Sequence, residues 1–218
     1  MRVLVACEFS GRVRDAFIAI GHDAWSCDLL PTETEGTHIV ADVGTVLDDG
    51  WDMLIAHPPC RYLSDAGIAH QNKPGRQELA DKALGFFLTL YNAPISRVAV
   101  ENPKSRLINN GFRRPDQTIH PWYFGERQMK RTCLWLRGLP KLYYQFEKTL
   151  FDEVTATEPP QPISIDNVTY RKKKRYATDA MTGGKNRAHN RSRTYRSIAN
   201  AFAEQWGQEC RGVSGTPP

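Results

Sequence analysis

An α/β sandwich with a mainly parallel sheet and helices on both faces is the fold class that this sequence predicts. Two observations predict it. Short apolar runs alternate with stretches of helical periodicity through the first 140 residues. The first five of these runs also exit into polar or reactive residues, and in such sheets ligands bind beyond the carboxyl ends of the strands.

The elements follow in order. "RVLVA" (2–6) is a short apolar run and reads as a buried strand. "GRVRDAFIAIG" (11–21) sets Val13, Ala16, Phe17 and Ile20 at helical spacing and stops on Gly21. "DAWSCDLLP" (23–31) is a second strand containing Asp28, and "THIVADV" (37–43) a short one with Asp42 near its end. "DMLIAHPP" (52–59) is a strand halted by two prolines. "GRQELADKALGFFLTLYN" (75–92) is a long helix with Leu79, Ala83, Phe86, Phe87 and Leu90 on one side. "RVAVENP" (97–103) ends on an acid and a proline, and "TCLWLRGLP" (132–140) is strand-like. Residues 141–190 read as irregular, with Pro159, Pro160 and Pro162 and then Gly183 and Gly184. "RSRTYRSIANAFAEQW" (191–206) is a final amphipathic helix, followed by a frayed tail.

The chain has 218 residues, 40% hydrophobic and 24% charged, which suits one α/β domain with a small appendage. No apolar run approaches the ~20 residues of a membrane span. "MRVLVACEFSG" is interrupted by Glu8 too early for a signal peptide, so a cytoplasmic protein with no membrane partner is expected. Cys7, Cys27, Cys60, Cys133 and Cys210 are scattered and odd in number, without metal-ligand spacing; neither disulfides nor a metal is expected. Residues 171–196 hold ten Lys and Arg against one acid, Asp179. The whole chain is only +5, so the rest is net acidic. A cationic block interleaved with Tyr170, Tyr176 and Tyr195 suits a polyanionic partner, nucleic acid first.

The strand exits carry Phe9-Ser10-Gly11, Asp28, Asp42, Cys60 and Glu101. The "FSG" turn lets a ligand approach the backbone, and the helix start behind it offers donors to an anionic group. An acid after the second strand suits a ribose's hydroxyls; capping of the next turn is an equal alternative. In "AHPPCRYLSDAG" (56–67) two prolines fix the chain and present Cys60, either as a packed turn residue or as a nucleophile.

FSG, an acid after the second strand, "HPPCRYLSDAG" (57–67) and ENP (101–103) resemble, in this order, the motifs of the DNA cytosine-5 methyltransferases. "YFGERQMKRTCLWL" (123–136) is similar to that family's Y-G-x-P-Q-x-R-x-R strand entry, and "YRSIANAF" (195–202) to its closing helix. The chain looks especially like short, phage-encoded members. His57 stands where the family has glycine, Arg61 where it has glutamine and Pro103 where it has valine. Val13 and Arg14 take the place of glycines, and the usual large target-recognition domain is missing.

The resemblance implies a Rossmann-like, S-adenosylmethionine-dependent fold and methyl transfer to position 5 of cytosine in DNA through a cysteine adduct. It implies that Cys60 is the nucleophile, that Glu101 holds the ring nitrogen and amine, and that Arg131 steadies the flipped ring or its phosphate. Phe9, Ser10, Gly11, Asp28, Asp42, Pro58 and Asn200 are the expected cofactor residues. Arg61, Ser64, Gln128, Arg171, Lys172, Lys173, Lys174, Arg175, Arg191 and Arg193 are the expected nucleic-acid contacts. The expected organisation is a catalytic domain over 1–140, a basic insert over 141–190 and a C-terminal helix and tail over 191–218. Two rival readings use the same residues: another pyrimidine acceptor or transferred group, and a catalytically silent nucleic-acid-binding protein.

Overall fold

The structure is a computed structural model and describes residues 1–65, 73–126, 128, 130–144, 167–170, 173–176 and 192–208. Its strands are β1 (Arg2–Ala6), β2 (Asp23–Asp28), β3 (His38–Val40), β4 (Met53–Ala56), β5 (Arg97–Asn102), β6 (Gln117–Ile119) and β7 (Thr132–Arg137). The helices are α1 (Arg12–Ala19), α2 (Arg76–Tyr91), α3 (Arg106–Gly111) and α4 (Arg196–Gln208). A separate antiparallel pair, β8 (Asn167–Tyr170) and β9 (Lys173–Tyr176), falls inside the stretch that the sequence reads as irregular. Val168, Thr169, Tyr170 and Tyr176 are residue types that favour strands, which is the local reason for a hairpin there.

The seven strands form one sheet in the order β3-β2-β1-β4-β5-β7-β6. The neighbours from β3 to β5 are all parallel. Only β7 runs against its neighbours, pairing antiparallel with both β5 and β6. The sheet is therefore Rossmann-like and mixed α/β, with a reversed strand near one edge. Strand order turns back between β1 and β4, and the FSG turn and the HPPC loop lie beyond their carboxyl ends, the place where sheets of this kind bind ligands.

Central strands read as continuous apolar runs because both their faces are covered. Strand alternation divides the core in two. Val3, Val5, Met53, Ile55, Ala99 and Leu134 face α1 and α4, where Phe17, Phe202 and Trp206 pack against them. Leu4, Ala6, Leu54, Ala56, Val100 and Trp135 face α2 and α3 and meet Phe87, Leu90 and Ile108. Leu142 and Tyr144 join the first cluster, so the chain is still part of the main body at residue 144. No helix is long and apolar enough to cross a membrane, and no group of residues that would hold a metal occurs among the described residues.

Candidate active site

Glu8 organises the turn after β1. It is buried, and its Oε1 accepts from the Val13 amide at 2.8 Å and from Ser10 Oγ at 3.2 Å. Its Oε2 accepts from the Arg14 amide at 3.2 Å. The first-turn donors of α1 are thus taken by a carboxylate of the chain itself, which also faces the positive end of the helix. The expectation that this helix start offers donors to an anionic ligand is corrected: a phosphate would meet Glu8. Phe9 and Ser10, both expected cofactor residues, are buried beneath the 32–36 loop, with the Glu33 amide donating to the Phe9 carbonyl at 2.8 Å.

Gly11 has φ 71°, and a Cβ there would lie 2.2 Å from Thr34 Oγ1 and 2.5 Å from Arg14 Nη2. Arg14 is fully buried. Its guanidinium reaches Ser26 Oγ at 3.1 Å, Thr34 Oγ1 at 2.6 Å and the Glu35 carbonyl at 2.9 Å, and pairs with Asp15 at 2.7 Å. A buried guanidinium survives only when its donors are met. Val13 sits in the core and Arg14 braces the 32–36 loop, which is what these two non-glycine residues do in this chain.

Asp28 ends β2 and is half-buried; its Oδ1 accepts from the Leu30 amide at 2.9 Å. A carboxylate has acceptor capacity beyond one such bond. Past it, Leu29, Leu30 and Val40 expose 73%, 49% and 61% of their surface, an apolar rim beside an acid. Asp42 is exposed and caps the short turn after it, accepting from the Gly44 amide at 2.9 Å.

The HPPC and ENP segments are joined by two side-chain links. β4 and β5 are parallel, with Ala56 beside Val100, so His57 falls beside Glu101. His57 Nδ1 lies 3.3 Å from Glu101 Oε2, with the side chains 6% and 17% exposed. On the other face of β5, Asn102 Nδ2 donates to the Pro58 carbonyl at 3.2 Å. The Cys60 carbonyl then accepts from the Leu63 and Ser64 amides at 3.1 and 2.9 Å, closing a tight turn behind the prolines. Burial pushes the Glu101 carboxyl up, but the bond to His57 and the charges of Lys130 and His57 outweigh it and hold the group below its ordinary range. His57 Nε2 and Asn102 Oδ1 are buried and have no hydrogen-bond partner in the structure.

Cys60 is the exposed cysteine among those described. Burial, and then the neighbouring acids Asp28 and Asp42 with Cys27, push the Cys7 thiol far up; burial also raises Cys133. Neither is a candidate thiolate.

The cation that acts on Glu101 is Lys130, a residue outside the expected set, and not Arg131, which was expected to steady the flipped ring or its phosphate. Strand alternation explains the exchange: Leu134 faces α1 and α4 with Glu101, and Cys133 faces the opposite side. Continued backwards, this pattern puts Lys130 with Glu101 and Arg131 with Cys133. Lys130 Nζ also lies 5.8 Å from the Tyr195 ring, while Arg131 lines a cleft on the α2–α3 side. The segment before α4 crosses the site's edge. Arg12 donates to the Thr194 carbonyl at 2.8 Å, and the Ser197 amide donates to Glu126 at 2.9 Å.

Other expected residues are scattered. Asn200 is exposed on α4. Arg193 pairs with Glu33 at 2.5 Å, so it anchors the 32–36 loop. Arg61 is exposed with its guanidinium 5.4 Å from the Tyr62 ring, and Ser64 is half-buried. The Gln128 carbonyl accepts from the Trp122 amide. Lys173, Lys174 and Arg175 lie on β9, whereas Arg171, Lys172 and Arg191 lie outside the described residues. Glu8, His57 and Lys130 are the site residues that motif reading passes over. The spacing of β4, β5 and β7 carried the signal for the last two.

No protein-family model matches the chain, and no curated protein matches it in sequence. Solved structures similar in fold include the two that follow. One is described as a DNA modification methyltransferase encoded within an E. coli prophage, with a TM-score of 0.41, 13% identity, and coverage of 62% of this chain and 46% of the other. The second is the Entamoeba histolytica methyltransferase EhMeth, with a TM-score of 0.44, 16% identity, and coverage of 68% and 57%. The chain thus spans about half the length of these two proteins.

Proposed function

We propose that this chain transfers a methyl group from S-adenosylmethionine to position 5 of cytosine in DNA, with Cys60 as nucleophile. The observation that carries this reading is the double tie between His57-Pro58 and Glu101-Asn102 at the point where strand order turns back. It holds the loop that carries an exposed thiol against the end of the strand that carries a half-buried carboxyl.

The residues fit the cofactor. S-adenosylmethionine is a cation at sulfur, and the crevice edge is acidic, with Glu8 behind the turn and Asp28 beyond β2. A helix start already filled by a carboxylate disfavours a dinucleotide's pyrophosphate. Asp28 has capacity for a ribose hydroxyl, and Leu29 and Leu30 offer apolar surface to a flat ring. Bound there, the cofactor supplies an electrophilic methyl group.

The chain's own residues do the rest. Cys60, as thiolate, adds to ring carbon 6, and the ring's electrons move to carbon 5, which becomes nucleophilic. Glu101, ionised at rest, accepts from the exocyclic amine, and the adjoining His57 is the group able to share a proton with ring nitrogen 3. Lys130 keeps Glu101 charged until the base arrives. Once carbon 5 carries the methyl group, loss of its proton to solvent water returns the electrons to the ring and expels the Cys60 sulfur as thiolate. A base reaches such a site only after leaving its stack.

The test is a trap. DNA containing 5-fluorocytosine, incubated with S-adenosylmethionine and the protein, cannot lose fluorine as a proton is lost. A denaturant-resistant adduct is expected, absent in Cys60→Ala and reduced about a hundredfold in Glu101→Gln. No adduct with either duplex or single strands would overturn the reading.

A further inference from the structure

A cleft of about 420 Å³ opens on the α2–α3 side of β7, on the face of the sheet away from His57 and Glu101. Its lining includes Lys104, Arg114 and Arg131, all exposed, and no carboxylate among the described residues. Three like charges around one hollow repel each other unless an anion sits among them. The polar groups deeper in are incomplete as well. His120 lines the cleft, is only 8% exposed, and its Nδ1 has no hydrogen-bond partner among the described residues. Asn109 lines it too, and its buried Oδ1 is equally unpartnered. Leaving such atoms unmet is costly, so they point to a ligand that completes them. Burial and the charge of Arg131 push the His120 imidazole down to about 4, so at neutral pH it offers one donor and one acceptor.

The volume decides between ligands. A bare phosphate or sulfate fills only a small part of the hollow, whereas its size falls in the range of small-molecule pockets. Tyr123 adds an aromatic wall, held edge-on to the His120 ring at 5.2 Å. A ligand that combines an anionic group with a flat polar ring meets every one of these features.

We propose that this cleft is a nucleotide site, with Lys104, Arg114 and Arg131 taking the phosphate and Tyr123, His120 and Asn109 receiving the base or sugar. The nucleotide is either free or one unit of a nucleic-acid strand; the chemistry is the same. The site stands independently of methyl transfer, since it uses neither Cys60 nor Glu101.

The test is a titration of the whole protein without S-adenosylmethionine. The probes are the deoxynucleoside 5′-monophosphates, inorganic phosphate and a short single-stranded oligonucleotide. Calorimetry reads binding, and tryptophan fluorescence reports on Trp135, which lines the cleft. At least one mononucleotide or the oligonucleotide is expected to bind ten times or more tighter than inorganic phosphate. The double variant Arg114→Gln, Arg131→Gln, both at exposed positions, weakens that binding about tenfold or more. His120→Ala brings it toward the value for inorganic phosphate. Binding by the mononucleotide alone identifies a free ligand, and tighter binding by the oligonucleotide identifies a strand. Absence of saturable binding by both would overturn the proposal. So would an affinity unchanged in the folded double variant. The adduct trap is read separately through Cys60, so either proposal can fail alone.

Discussion

His120 is a neutral imidazole held in a cationic neighbourhood, and that has a consequence for stability. Its folded-state value is pushed down to about 4, whereas an unfolded histidine titrates near 6.5. Between those values the unfolded chain binds a proton that the folded one refuses. Stability therefore falls as pH drops from about 6.5 to about 4, by about 3 kcal/mol for this group. Urea denaturation of the protein at pH 7 and pH 5 should show the loss, and His120→Gln should remove it; an equal slope in the variant would count against the assignment. Glu101 acts in a different window. Its folded-state value lies below the ordinary carboxylate range, so its contribution is lost only as pH falls further, through that lowered value. Single residues were legible in the sequence where a motif names them, as with Cys60 and Glu101. Those that act through a neighbour were not. Glu8 is one more acid near a turn until α1 folds above it, and His57 is an oddity before two prolines until β5 lies alongside.

The turn between β1 and α1 depends on one residue without a side chain. At φ 71° Gly11 occupies the left-handed region, and any Cβ there collides with Thr34 and Arg14. Gly11→Ala should therefore cost about 2 to 4 kcal/mol in urea denaturation and lower S-adenosylmethionine affinity, because the 32–36 loop must move off its Arg14 brace. A change below about 1 kcal/mol would mean the turn adapts. Elements whose own pattern is long enough were readable: β1, α1, β4, α2, β5 and β7 lie where periodicity and terminators place them, within one to three residues. Of the short elements, β3 was read as a strand within 37–43, whereas β6 and α3 were not read. β6 has three residues and α3 six, too few to display a period. The direction of β7 was also hidden. It follows from β6, which runs the same way as β5 at the sheet edge, so that the chain turning back from it enters between the two as an antiparallel strand.

For the molecule as a whole, charge separates into a basic stretch and a net acidic remainder, which includes the crevice edge. If that stretch grips phosphates of a strand, log affinity should fall linearly with log salt concentration. Changing Lys172, Lys173 and Lys174 to Gln should make the slope shallower by about 2 to 3, at roughly 0.9 for each phosphate no longer neutralised. An unchanged slope, measured by fluorescence anisotropy on labelled DNA, would remove those lysines from the interface. The fold class was legible at this scale because alternating elements allow few arrangements. The place of the basic stretch in the fold was not, since charge alone carries no geometry.

Helix α4 lies against α1, so segments nearly two hundred positions apart cover the same side of the sheet. Until residue 208 has left the ribosome, Val5, Ile55 and Phe17 lack the covering that Phe202 and Trp206 provide. The nascent chain must therefore wait with a greasy flank open to chaperones or to other copies of itself. Its maturation is governed by the arrival of α4 rather than by the assembly of its first strands.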